Sequence, residues 1–185
     1  MRINQSMSRI GVFVAAIVCV LAGTVVDAVS ASATPEYLWY INKNSGKCLE
    51  VFAFSQDNGG NVVQWDCWNG LNQQWLREDP DGDGWFQLRN RNSGKCLEVF
   101  AFSQDNGGNV VQWDCLSGWN QLWKYVPVYV GGIWSAWELR NLNSGKCLEV
   151  FAFSQDNGGN VVQWDCWGGV NQRWNDQVAN PPIIR

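Results

Sequence analysis

No histidine occurs among the 185 residues. Its absence removes Ser-His-Asp and Cys-His catalysis and imidazole-ligated metal, so any acid–base chemistry falls to carboxylates. Positive charge is also scarce, with 13 Lys+Arg against 17 Asp+Glu and a formal net charge of −4. Phosphate backbones are bound by clustered cations that displace counterions, which excludes a nucleic-acid partner. The chain's N-terminal uncharged stretch, Gly11 to Val26, is sixteen residues long, short of the roughly 20 that span a bilayer. It follows Arg2 and Arg9 and precedes Asp27 and the small residues Ser30-Ala31-Ser32-Ala33, which predicts a secretory signal peptide over 1–33. The expected product is a secreted, extracellular domain over 34–185 with no membrane span. Cleavage there discards Cys19 and leaves six cysteines, an even number in an oxidising compartment.

Tryptophan, at 13 residues, is abundant, and the mature chain is written three times. The stretch NSGKCLEVFAFSQDNGGNVVQWDC runs from Asn44 to Cys67 and recurs unchanged at Asn92 to Cys115 and Asn143 to Cys166. Each copy closes on a related tail: Asn72-Gln73-Gln74-Trp75, Asn120-Gln121-Leu122-Trp123 and Asn171-Gln172-Arg173-Trp174. Such self-similarity predicts a repeat architecture with units at about 38–76, 85–124 and 137–175. The linkers Leu76 to Trp85 and Lys124 to Trp137 do not match each other.

Within a copy, Cys48 to Phe54 and Asn61 to Cys67 are β-prone and flank the turn residues Ser55 to Gly60, which reads as a hairpin. Segments around Leu38 to Ile41 and Asn72 to Leu76 complete about four short strands per copy and about twelve in all. One unit has too little core to stand alone, and three copies without a distinct capping repeat suit a closed three-fold arrangement. Six cysteines allow fifteen connectivities; the identity of the copies favours Cys48 with Cys67, Cys96 with Cys115 and Cys147 with Cys166. If Cys48 faces Cys67 in an antiparallel ladder, Glu50 faces Trp65 and Phe52 faces Val63, so a carboxylate and an indole stand side by side. The same holds for Glu98 with Trp113 and Glu149 with Trp164.

That pairing suits a sugar. A pyranose has a C–H face that lies on an aromatic plane and a rim of hydroxyls that donate to a carboxylate. Phe52 and Phe54 are read either as core or as apolar walls of this site, and Trp75, Trp123 and Trp174 as core.

The Gly-Lys-Cys-Leu-Glu-Val opening, the Gln-Trp-Asp-Cys run and the closing Gln-x-Trp at Gln73, Gln121 and Gln172 resemble the ricin B-chain type lectin family across roughly Leu38 to Trp174. The resemblance implies an all-β fold, a β-trefoil, that binds galactose- or xylan-type sugars without cofactor or metal. By similarity the sugar-binding residues are Glu50, Trp65 and Asn72; Glu98, Trp113 and Asn120; and Glu149, Trp164 and Asn171, giving three equivalent shallow sites. Two departures stand out. The family acid is usually Asp, and a polar residue often stands two before the aromatic, where this chain has Val63, Val111 and Val162. Trp68 and Trp167, against Leu116, add apolar surface beside two of the three sites.

Glycoside hydrolysis is the remote alternative. It needs one asymmetric pair of carboxylates, whereas Glu50, Asp57 and Asp66 are each triplicated, which serves avidity and not rate. A protein-binding trefoil acting through the unmatched linkers is the nearer one. Asp79-Pro80-Asp81-Gly82-Asp83-Gly84 has the opening of a Ca²⁺ loop, but Asn90 stands where that loop needs its bidentate Glu, so an acidic turn is expected. Asn180-Pro181-Pro182 is expected to begin a tail outside the domain. No signal in the sequence sets an oligomeric state.

Overall fold

The computed structural model describes residues 35–179. The expected signal peptide over 1–33, with Cys19, and the tail from Asn180 lie outside the described residues. Among the described residues twelve strands form, four per repeat. They are β1 (Tyr37–Asn42), β2 (Cys48–Val51), β3 (Gly60–Trp65) and β4 (Trp75–Glu78); β5 (Gln87–Asn90), β6 (Cys96–Val99), β7 (Val110–Trp113) and β8 (Trp123–Val130); and β9 (Ile133–Asn141), β10 (Cys147–Val150), β11 (Gly159–Trp164) and β12 (Trp174–Val178). The first and last strands of the repeats close into a six-stranded antiparallel barrel, with an isolated bridge between Phe86 and Trp123 joining β5 to β8. The three inner hairpins pair with one another and cap one end, where Asn109 bridges to Val162. The architecture is a β-trefoil. No helix among the described residues is long and apolar enough to cross a membrane.

Strand alternation explains what fills it. Leu49, Val51 and Val62 point to the axis with their copies and meet Trp75, Trp123 and Trp174, all fully buried. Each of these indoles donates to the carbonyl of Leu49, Leu97 or Leu148 at 3.0 to 3.1 Å, so burying the ring leaves no N–H unpaired. The closing tryptophans are core, as expected.

The repeats are clasped by side chains that the repeat itself supplies. Gln64 accepts from Ser45 Oγ at 2.6 Å and donates to the carbonyls of Ser154 and Asp156 in the third repeat. Gln112 reaches Ser55 and Asp57 in the first, and Gln163 reaches Ser103 and Asp105 in the second, completing a cycle. On the axis, Asn61 donates to Asn160, Asn160 to Asn109 and Asn109 to Asn61, each at 2.9 Å.

The disulfides join the cysteines within each copy, Cα–Cα 5.1 to 5.2 Å, as the identity of the copies implied. The strand register differs from the sequence expectation by two residues. Cys48 faces Trp65 and Glu50 faces Val63, with the same offset in the other repeats. The reason is that Cys67 lies two residues beyond the end of β3, so the disulfide crosses the end of the ladder and is not a rung of it. An offset of two keeps Glu50 and Trp65 on one face as diagonal neighbours. The unmatched linkers also resolve. In the first, the Asp79 carboxylate accepts from the Gly82 and Gly84 amides, an acidic turn. The second is a long hairpin of β8 and β9 turning at Gly131-Gly132, both at positive φ (59° and 81°).

Candidate functional site

Phe52 does not face Val63, because the chain leaves the ladder after Val51 in a single 3₁₀ turn, Phe52–Phe54. Within it Ala53 and Phe54 take φ of 51° and 57°, and Ala101, Phe102, Ala152 and Phe153 repeat this. Left-handed conformations cost a non-glycine residue about 1–2 kcal/mol each, and such strain concentrates at ligand clamps. Here it turns both phenylalanines of each copy outward, 44 to 56% exposed. They are walls, not core.

Behind the turn stands the acid. Glu50, Glu98 and Glu149 are 5 to 7% exposed, and each accepts through Oε2 from the glutamine of the closing tail: Gln73 at 2.7 Å, Gln121 at 2.7 Å and Gln172 at 2.8 Å. Gln121 is fully used. It also donates to the Asp114 carbonyl and accepts from the Leu116 amide and from Gln87. The Gln-x-Trp tail, read from sequence as structural, thus positions the carboxylate of the site as well. Burial pushes the carboxyls of Glu50 and Glu98 above the ordinary glutamate value, against the pull of these glutamine donors.

Asn72 sits in a second 3₁₀ turn, Leu71–Gln73, where a strand was expected; the chain becomes extended only at Trp75. Its amide donates to the Val51 carbonyl at 2.9 Å, and Asn120 and Asn171 do the same to Val99 and Val150. That bond ties each asparagine to the Phe-Ala-Phe turn, and in the first and third repeats Oδ1 is left buried without a hydrogen-bond partner. Trp113 packs against Phe100 with ring centroids 6.1 Å apart. On its other side lies the preceding repeat: a Cβ added at Gly59 would come within 3.7 Å of Trp113 Cζ3. Each aromatic is thus supported across a repeat boundary.

In the second repeat these residues enclose a cavity of about 370 Å³ whose lining includes Glu98, Phe100, Phe102, Trp113, Leu116 and Asn120. All three predicted site residues of that repeat line one space. A more open groove, lined by Asn58, Gly59, Phe100, Asn109, Val111 and Trp113, runs along the other side of the same indole. Glu98 is the one carboxylate lining the cavity. The exposed carboxylates of Asp66, Asp114 and Asp165 pair instead with Lys47, Lys95 and Lys146. Hydrogen bonds from these lysines, and then from Asn157, Asn58 and Asn106 of a neighbouring repeat, hold them below the usual aspartate value.

The expected equivalence of the three sites breaks at one position. In the first and third repeats the indoles of Trp68 and Trp167 lie over the site and donate to Glu50 and Glu149 at 3.3 and 3.4 Å. Sequence reading placed these rings beside the site and missed that they bond its acid. Leu116, at the same position, has no donor in its side chain. Among the described residues, one group of metal-ligating side chains stands close together, Glu138 with Cys147 and Cys166, and both sulfurs are tied in a disulfide.

The fold agrees with comparison to known proteins. The sequence matches the family model described as a ricin-type β-trefoil lectin domain over 84–181, and the related model of a ricin-type β-trefoil lectin domain-like family over 28–113. The chain belongs to the ricin-type β-trefoil lectin domain family. Among solved structures it is similar to ThreeFoil, a designed 3-fold symmetric protein, at 38% identity and a TM-score of 0.71, covering 76% of this chain and 96% of that one. It also resembles an exo-β-1,3-galactanase from Clostridium thermocellum at 35% identity and a TM-score of 0.72, over 78% of this chain but 30% of that one. The hemolytic lectin CEL-III is 32% identical, TM-score 0.60, over 78% of this chain and 31% of that one.

Proposed function

We propose that the protein is a secreted, non-catalytic lectin that binds galactose- or xylan-type glycans through copies of one shallow site, without metal. The observation that carries this is the convergence of Glu98, Trp113 and Asn120 on one cavity of about 370 Å³, near the lower end of small-ligand sites and suited to one or two sugar rings. The carboxylate accepts from hydroxyls, the Asn120 oxygen accepts another, and the aromatic walls take the C–H face. A single carboxylate in the cavity supports binding over hydrolysis, which needs a pair across the scissile bond. Stacking and a few exposed hydrogen bonds give roughly millimolar affinity per site, which simultaneous engagement of clustered glycans raises by about 10² to 10⁴.

The test is a glycan-array and insoluble-polysaccharide binding screen with and without EDTA, using wild type and a folded variant with Trp65, Trp113 and Trp164 all replaced by Ala. Binding that survives EDTA, is competed by free sugar and is lost in the variant supports the reading. Binding retained by the variant refutes this site. Failure to bind any glycan would favour a second reading, a protein-binding trefoil. The tip of the β8–β9 hairpin supports that one, exposing Tyr129, Ile133 and Trp134 at 45 to 74%.

A further inference from the structure

The three repeats share an unchanged 24-residue stretch, so a difference in their sites must come from the few positions that vary. Residue 68, with its counterparts 116 and 167, directly follows the second cysteine and reaches over the site. The Trp68 ring lies flat in the space above the tail: a Cβ at Gly70 would meet Trp68 Cζ2 and Asn72 Oδ1, each at 2.5 Å. It also meets Phe54 edge-on at 5.5 Å between centroids and donates its N–H to Glu50. The third repeat repeats all of this with Trp167, Gly169, Phe153 and Glu149. Beneath both indoles the Oδ1 atoms of Asn72 and Asn171 are buried without a hydrogen-bond partner. In the second repeat Trp119, at the position of Leu71 and Val170, is 67% exposed and not part of the cavity's lining, and Leu116 stands in place of the indole. A Cβ at Gly118 would meet Phe102 at 3.4 Å in its place, Phe102 is 56% exposed against 44% for Phe54 and Phe153, and the cavity opens onto Glu98 and Asn120.

We infer that Trp68 and Trp167 are gates that occupy, on their own repeats, the carboxylate position a ligand hydroxyl needs, so that the repeat carrying Leu116 is the site that fills first. This rests on the carbohydrate reading and deepens it. The Trp68 N–H sits on the same Glu50 oxygen, Oε2, that Gln73 holds, and a hydroxyl that takes this oxygen from the face the indole covers must replace it. Both indoles are about half exposed, at 51 and 56%, so they can swing outward without opening the core. Once an indole leaves, the buried asparagine oxygen beneath it gains a hydroxyl partner. The gated sites therefore bind more weakly, yet are not destroyed. The expected ratio is about tenfold to a hundredfold, the worth of one hydrogen bond to a charged acceptor.

The experiment titrates galactose and xylobiose separately into three proteins: wild type, Leu116→Trp, and the double variant Trp68→Leu/Trp167→Leu. Calorimetry gives the stoichiometry, and the side-chain N–H resonances of tryptophan report which sites respond. The gate predicts one tight site in wild type, loss of that site by at least about tenfold in Leu116→Trp, and three comparable sites in the double variant. Without ligand, it predicts slowed hydrogen exchange of the Trp68 and Trp167 N–H, a readout that does not depend on sugar. Three equal sites in wild type, or a Leu116→Trp protein that binds as wild type does, overturns the gate and leaves the lectin reading intact. Binding of neither probe by any of the three proteins overturns both.

Discussion

Replacing Glu98 with Gln separates a carboxylate kept for a ligand from one kept for the fold. Glu98 is 7% exposed and accepts from Gln121 at 2.7 Å. The substitution preserves side-chain length and one acceptor oxygen, so the Gln121 contact survives as a neutral hydrogen bond. Losing the charge weakens that bond by about 1 kcal/mol, the difference between charged and neutral acceptors. The desolvation of the buried charge is relieved in exchange. Burial is the largest influence on Glu98 and raises its pKa in spite of the donors from Gln121 and Asn120, so the native state already favours the neutral form relative to the unfolded chain. Stability at pH 7 is thus expected to stay within about 1 kcal/mol of wild type, or to rise, a melting shift of no more than roughly 2–4 °C. Ligand binding behaves differently. A hydroxyl that donated to the carboxylate meets a neutral acceptor, or an amide donor that repels it, and affinity falls by about tenfold or more. Thermal unfolding at pH 7 and titration with the sugar identified in the binding screen measure the two effects. A fall in melting temperature well beyond 4 °C with binding unchanged would refute the reasoning, because Glu98 would then serve the fold.

Three further predictions follow from the same geometry. Glycine at Ala53, Ala101 and Ala152, where φ is 51° to 52°, removes left-handed strain; each change is expected to add roughly 0.5–1 kcal/mol net of backbone entropy, read from chemical denaturation. Gln112→Leu strips the Ser55 and Asp57 carbonyls and the Ser93 hydroxyl of their partner and is expected to cost about 2–4 kcal/mol, whereas Gln104→Ala, whose side chain is exposed, should cost little. Acidification should separate binding from stability. The raised carboxyls of Glu50 and Glu98 bind protons in the folded state before the unfolded chain does, so sugar binding declines above the ordinary glutamate value while these groups add stability as pH falls. The lowered carboxyls of Asp66, Asp114 and Asp165 contribute stability present above the ordinary aspartate value and lost as pH falls through their folded values, so unfolding comes at lower pH than loss of binding. Parallel pH series of sugar titration and circular dichroism check the order, and coincident transitions would contradict it.

Much of this was legible because the sequence repeats. Three unchanged copies exposed the strand count, the disulfide pairs and the Glu/Trp face, and the Gln-x-Trp tails pointed to the trefoil. The register slipped by two residues because the arithmetic treated Cys48 and Cys67 as a rung, and nothing local says that β3 ends at Trp65. A disulfide tolerates a Cα separation of about 4.4–6.8 Å, which fits the end of a ladder as well as a rung, so cysteine spacing cannot fix the register alone. The role of Gln73 was hidden because its partners, Glu50 and the Asp66 carbonyl, lie 23 and 7 residues away. The β8–β9 hairpin did carry a signal, the Gly131-Gly132 pair between β-prone runs, which the mismatch between linkers obscured.

The pattern of identity and change assigns the functional burden within each repeat. The unchanged stretch holds three costly features: a buried carboxylate, a Phe-Ala-Phe turn at positive φ, and an indole supported by the neighbouring repeat. It also holds what offsets them, the Gln64, Asn58 and Asn61 contacts and their copies, which tie each repeat to the others. A change to any of these would be felt in two repeats at once. Residue 68 and its counterparts make no clasp between repeats, and the positions that follow vary in step. Gln74 donates to the Asn69 carbonyl and Arg173 to that of Gly168, whereas Leu122 at the same position has no donor in its side chain. Gln74 accepts from Arg91 of the next repeat, so of these varying positions it is residue 68 and its counterparts, at the rim of the site, that leave the contacts between repeats untouched. A chain built this way can change what one site admits by a single substitution at its rim, with the stability of the other two carried by contacts the substitution never meets.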